Sequence, residues 1–165
     1  MNIVFLDYDG VVNTPMWSPD GKHCKYNLPN DGKVNNFQAV QWVSEFCQKY
    51  NYDIVVTSTW RLGDPKYADY LKNAGLRDGI KILGKTPSIR KEPHSIRGDE
   101  IKAYLKEHPE IENFLIFDDD SDMGSLIDHL VKCDCFVGFT EREFIKAEKM
   151  HEKFMETSTT RPIKK

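Results

Sequence analysis

The chain has no CxxC pair. Its four cysteines, Cys24, Cys47, Cys133 and Cys135, have no histidine at zinc-site spacing, which excludes the common zinc motifs. Cys133-x-Cys135 borders an apparent strand and reads as core packing. The five histidines, at 23, 94, 108, 129 and 151, are scattered without metal spacing, and most are expected to face solvent. No apolar run approaches the roughly 20 residues that span a bilayer, so no membrane partner is expected. Basic excess is also missing: a net charge of −3 gives no global pull toward nucleic acid or an anionic surface. No charged-then-apolar leader opens the chain, and a cytoplasmic location with reduced thiols is the expectation. There is no internal repeat. The 165 residues suit one domain with a core that needs no covalent staples. That domain is expected over 1–156, with a polar tail over 157–165.

What is present is an alternation of strand and helix patterns, the signature of a parallel sheet covered by helices. A first strand is read at 2–6, followed by a long polar stretch over 14–33 that suits a loop above a site. Val34, Phe37, Val40, Val43, Phe46, Cys47 and Tyr50 recur at helical spacing and predict a core-facing helix. A strand over 53–57 follows. Asp64-Pro65 predicts a helix start and Gly75 its stop. A short strand is read at 80–83, and Asp99 is placed as the cap of a helix carrying Ile101, Tyr104 and Leu105 and ending near His108-Pro109. Beyond a strand over 114–117, Met123, Leu126, Ile127, Leu130 and Val131 predict another helical face, and 135–137 a last strand. Thr140 and Glu143 form a capping box for a final helix to about Met155.

Three of the strands end in chemistry. Ile3-Val4-Phe5-Leu6 runs into Asp7-Tyr8-Asp9-Gly10, the second strong strand into Thr57-Ser58-Thr59-Trp60-Arg61, and the third into Asp118-Asp119-Asp120-Ser121-Asp122. In open α/β sheets ligands bind beyond the carboxyl ends of strands. Close carboxylates raise one another's pKa and destabilise the fold unless a cation sits among them. A hard divalent ion resolves the conflict, and Mg²⁺ prefers one or two carboxylates, water and a phosphate oxygen. The implied ligand is a phosphate ester.

The strings Phe5 to Asn13, Val55 to Arg61, Arg97-Gly98-Asp99-Glu100-Ile101 and Phe114 to Asp122 together resemble the haloacid dehalogenase (HAD) superfamily. Within it they are most similar to the HAD domain of Swiss Army Knife RNA repair proteins. The resemblance implies a three-layer α/β/α, Rossmann-like parallel sheet with little or no cap domain. It implies a Mg²⁺-dependent phosphomonoester hydrolase in which Asp7 attacks phosphorus to form an aspartyl-phosphate. Asp9 would protonate the leaving group and then activate water. Ser58, flanked by Thr59, would bind a phosphoryl oxygen, and Arg97 would pair with the phosphate where lysine is usual. Asp7, the Asp9 carbonyl, Asp118 and Asp119 would hold the metal. The substrate would be a polynucleotide end or a nucleotide, so nucleic acid is an expected partner. Alternatives are a phosphatase of small nucleotides or sugar phosphates, and a non-catalytic phosphate- or RNA-binding module.

The residues leave several choices open. Thr57 competes with Ser58, and Lys85 and Lys91 compete with Arg97, whose planar fork differs from an ammonium. Which of Asp118, Asp119, Asp120 and Asp122 touch metal is equally open. The acidic run mimics the start of an EF-hand loop, but Met123 and His129 stand where glycine and glutamate are required. Trp60-Arg61 reads as a packed aromatic beside a surface charge. The basic residues Lys81, Lys85, Arg90, Lys91 and Arg97, with Lys22, His23 and Lys25, read first as solvated loop and second as guides for a polyanion.

Overall fold

The computed structural model describes residues 1–14, 16–17, 24–25, 37–89 and 96–159. Their centre is a five-stranded, all-parallel sheet. β1 (Asn2–Leu6) lies between β4 (Tyr52–Val56) and β6 (Asn113–Asp118), with β5 (Ile82–Lys85) beyond β4 and β7 (Leu130–Lys132) beyond β6. A two-residue pair, β2 (Met16–Trp17) and β3 (Cys24–Lys25), forms a separate antiparallel ribbon. A central parallel strand is covered on both faces, which explains why β1 is apolar without alternation. Val4 and Leu6 join the cluster of Val40, Val43 and Phe46, while Ile3 and Phe5 join Ile101, Ile116 and Met123.

Helix α1 (Phe37–Tyr50) and the final helix α5 (Glu141–Thr159) cover the first face; α4 (Arg97–Glu107) and a 3-10 turn at Gly124–His129 cover the second. This is the expected three-layer, Rossmann-like arrangement. α1 ends where Asn51 takes a left-handed conformation, φ 56°. The capping box of α5 forms as expected, with Thr140 N–H donating to Glu143 Oε2 at 2.9 Å and Arg142 N–H to Thr140 Oγ1 at 3.3 Å.

Several expectations need correction. Phe37 is 60% exposed, because the first residue of α1 lies over the Gly75 turn and not over the sheet. The helix predicted from Asp64 to Gly75 is only the short α3 (Asp69–Asn73), and a separate one-turn helix, α2 (Trp60–Gly63), ends just before Asp64. Asp64 accepts the Lys66 N–H at 2.7 Å and the Tyr70 hydroxyl at 3.1 Å, which stabilises a turn in place of a helix start. The helical face predicted behind Met123 is the 3-10 turn, and Leu130 and Val131 are strand residues paired with Ile116 and Phe117. A short apolar run fits either period, and here the open edge of β6 decides. Residues 135–137 are consequently a turn: Asp134 Oδ1 accepts the Phe136 N–H at 2.9 Å, and Gly138 has φ +78°. Helix α5 runs to Thr159, past the expected end at Met155, so the expected tail begins as helix; Thr157 Oγ1 bonds back to the carbonyls of Lys153 and Phe154. His129 and His151 are half-buried against aromatic rings, His129 stacked on Phe114 and His151 tilted against Tyr50.

The proposed loop over 14–33 falls mostly outside the described residues, as do Lys22, His23, Val34, Arg90, Lys91 and His94. Among the described residues no helix is long and apolar enough to cross a membrane.

Candidate active site

The strand order places the three chemical strand ends side by side. β1 starts the fold at the centre, β4 adds on one flank and β6 on the other, so the order reverses across β1. Pairing continues one residue past the strands: Thr57 N–H donates to Leu6 O at 2.9 Å, and Asp7 N–H to Phe117 O at 3.0 Å. Asp7, Thr57 and Asp118 are therefore neighbours across the ladder. Behind Asp7 the chain must turn sharply. Tyr8 O accepts the N–H groups of Val11, Val12 and Asn13 at 2.8–3.1 Å, and Gly10 adopts φ +75°. A Cβ on Gly10 would also fall 2.4 Å from Asp119 Oδ2, so glycine is needed twice over, for its conformation and for space.

Asp7, Asp118 and Asp119 each offer a carboxylate oxygen, and these oxygens lie within 4.8 Å of one another. Asp118 is fully buried and Asp7 nearly so. Burial pushes both carboxyl groups well above the ordinary carboxylate range; the Asp7 charge pushes Asp118 further, and Asp119 and Asp9 do the same to Asp7. Arg97 opposes this, with Nε 3.2 Å from Asp118 Oδ2 and Nη1 3.7 Å from Asp7 Oδ1. One guanidinium facing three carboxylates leaves the cluster net negative. Asp118 Oδ2, although at ion-pair distance from Arg97, makes no aligned hydrogen bond. A buried, unsatisfied carboxylate oxygen among hard oxygen donors fits a divalent cation.

Arg97 is the first residue of α4, and Asp99, expected as its cap, lies inside the helix three residues past the observed cap position at Ile96. Asp122 supplies the cap: its Oδ2 accepts the Arg97 N–H at 2.9 Å and its carbonyl the Gly98 N–H at 3.1 Å. Gly98 permits this contact, since a Cβ there would sit 2.1 Å from Met123 O. Asp120 is exposed, and its N–H donates to Asp118 Oδ1 at 2.9 Å. Among the described residues, the three acidic groups gathered at the site are thus Asp7, Asp118 and Asp119, with Asp122 acting on Arg97. Lys85 Nζ donates to Arg61 O at 2.9 Å, and Lys91 lies outside the described residues.

The Asp9 carboxylate is not part of the three-carboxylate group. Its Oδ1 accepts from Asn13 Nδ2 at 2.8 Å and its Oδ2 from the Trp60 indole at 2.9 Å. Ser58 is buried beside Thr57, whereas Thr59 is exposed at the start of α2. Thr57 Oγ1 is buried without a partner, and the Thr57 carbonyl accepts from both Arg97 and Arg61.

Arg61 corrects the reading of a surface charge. It is 2% exposed, and its guanidinium donates to the carbonyls of Thr57, Ser58 (2.9 Å), Thr86 (2.9 Å) and Pro87 (3.2 Å), and to Glu100 Oε2 at 2.7 Å. It ties the ends of β4 and β5 to α4. The contacts of Asn13, Trp60, Arg61 and Glu100 have no counterpart in the sequence reading. The available signal was adjacency, since each lies within or beside one of the four site strings.

A profile of the family described as the HAD domain in Swiss Army Knife RNA repair proteins matches residues 3–144, which spans all three strand ends and Arg97. No curated protein matches the chain. The parallel sheet, the reversal of strand order at β1 and the carboxylates gathered there agree with that profile, and the chain belongs to this family of HAD domains.

Proposed function

We propose that the chain is a Mg²⁺-dependent phosphomonoester hydrolase that works through an aspartyl-phosphate on Asp7. The observation that carries the reading is the convergence of Asp7, Asp118 and Asp119 within 4.8 Å while Asp9 is held apart by its own donors. Two carboxylates in different surroundings suit two different roles.

Asp7, Asp118 and Asp119, with the Asp9 carbonyl, would hold the metal, which when bound neutralises charge between nucleophile and phosphate. Arg97 offers its guanidinium to phosphoryl oxygens and holds Asp7 in place. Ser58, next to the paired end of β4, donates its hydroxyl to another phosphoryl oxygen. A carboxylate oxygen of Asp7 forms a bond to phosphorus as the ester P–O bond breaks. The leaving oxygen takes the proton from the Asp9 carboxyl. Asp9, now a carboxylate, removes a proton from water as that water attacks the aspartyl-phosphate, which releases phosphate and regenerates Asp7.

The family's place in RNA repair proteins supports a phosphorylated polynucleotide end as substrate, with nucleotides as the simpler alternative. The test is phosphate release from a panel of phosphomonoesters with and without Mg²⁺, including a mononucleotide and end-phosphorylated oligonucleotides. Wild type is expected to require the metal and to favour oligonucleotide ends, and Asp7→Asn to lose at least about 10³-fold in kcat. A panel without metal-dependent turnover would defeat the enzyme reading.

A further inference from the structure

The Asp9 carboxylate has to offer a proton along one direction and later accept one along a related direction, so its orientation matters as much as its presence. The described residues show how it is held. Each of its two oxygens receives one N–H, from Asn13 Nδ2 at 2.8 Å and from Trp60 Nε1 at 2.9 Å. Neither donor carries charge, and with one on each oxygen they fix the plane of the carboxyl group.

The two donors are themselves fixed. Asn13 is fully buried and its N–H closes the turn onto Tyr8 O at 2.8 Å. Trp60, the first residue of α2, packs edge-to-face on Tyr70 at 4.5 Å and on Tyr8 at 5.8 Å. Those rings are anchored in turn: the Tyr8 hydroxyl donates to Tyr67 O at 2.7 Å and the Tyr70 hydroxyl to Asp64 Oδ2 at 3.1 Å. The Trp60 main-chain N–H lies 3.4 Å from Ser58 Oγ. One residue thus touches both the group that moves the proton and the hydroxyl beside the phosphate position.

We infer that Trp60 and Asn13 are positioning residues for proton transfer, aiming the Asp9 carboxyl group at the leaving oxygen. This rests on the phosphatase reading above. It has a consequence that packing alone lacks. An alkyl leaving group needs the proton as the P–O bond breaks, whereas nitrophenolate leaves without it. Misorienting Asp9 therefore penalises the first substrate selectively in kcat/KM, which reports steps up to formation of the aspartyl-phosphate.

The experiment compares kcat/KM for glycerol phosphate and p-nitrophenyl phosphate, with Mg²⁺, in wild type, Trp60→Phe, Asn13→Ala, Asp9→Asn and the Trp60→Phe/Asp9→Asn double variant. Trp60→Phe keeps a ring and loses only the donor. It is expected to lose about tenfold or more on glycerol phosphate and less than about threefold on p-nitrophenyl phosphate. Added to Asp9→Asn, it should leave the ratio of the two unchanged. Asn13→Ala should repeat the selective loss, and decides the matter if Trp60→Phe does not fold. Equal losses on both substrates, or a further change of ratio in the double variant, would overturn the inference alone. Wild type inactive on both substrates and on end-phosphorylated oligonucleotides would defeat it together with the phosphatase reading.

Discussion

Asp118 shows what the site demands of a single residue. Its carboxyl group is fully buried beside Asp7, and the shared guanidinium of Arg97 balances only part of the charge. The raised pKa means that the folded protein holds this proton to higher pH than the unfolded chain does. Its contribution to stability is thus fully present below the ordinary value of 3.8 and is lost as pH rises through the raised value. Asp118→Asn carries no such loss. In a chelator its melting temperature should gain on wild type between about pH 5 and about pH 8, read by thermal unfolding. With Mg²⁺ the order should reverse at the higher pH, because wild type gains a ligand and the variant gains less. A wild type that is the more stable protein at every pH in chelator would mean that the carboxylates do not repel. The gathering of Asp7, Arg97, Asp118 and Asp119 was legible because each sits in a short string with chemistry of its own. Trp60 and Arg61 were not, since an indole against an aspartate and an arginine among carbonyls leave no periodic trace.

At the scale of elements, Arg61 is the clearest case of one side chain organising several segments. Its fork reaches carbonyls at the ends of β4 and β5 and the Glu100 carboxylate on α4. Glu100 also accepts the Ile89 N–H at 3.2 Å, so the ion pair fastens the segment after β5 as well. Replacing the arginine strands a buried carboxylate and several carbonyls. Arg61→Met should cost about 3–5 kcal/mol in denaturant unfolding, and Arg61→Lys should recover only part, because an ammonium cannot span the same set. A loss below about 1 kcal/mol would mean that water replaces the fork. Strands and long helices with a full apolar stripe were legible, as for β1, α1 and α4. The 60–75 region and the 124–137 region were not. In the first, Asp64 bonds locally where it was read as a helix cap; in the second, Leu130-Val131 is too short for its period to separate strand from helix.

For the molecule as a whole, the parallel sheet and the site are one consequence of the chain order. Placing β1 at the centre, with β4 and β6 on either side, makes neighbours of strand ends that are far apart in sequence. Apolar β1 side chains, each worth roughly 1.5–3 kcal/mol when buried, hold that centre rigid while the carboxylates beyond it are desolvated. The long segment over 14–33 and the basic run from Lys81 to Arg97 gave no strong pattern because their composition is polar and irregular. The central claim is that Asp7 carries the phosphoryl group. It is tested most directly by acid-quenching Asp9→Asn during turnover of p-nitrophenyl phosphate with Mg²⁺ and mapping the protein by mass spectrometry. That leaving group departs without the Asp9 proton, but hydrolysis of the intermediate lacks its base, so the intermediate should accumulate. The account expects one phosphoryl group on the peptide containing Asp7, absent when Asp7 is also changed to Asn. Release of nitrophenol with phosphate on no peptide, or on a peptide without Asp7, would contradict it.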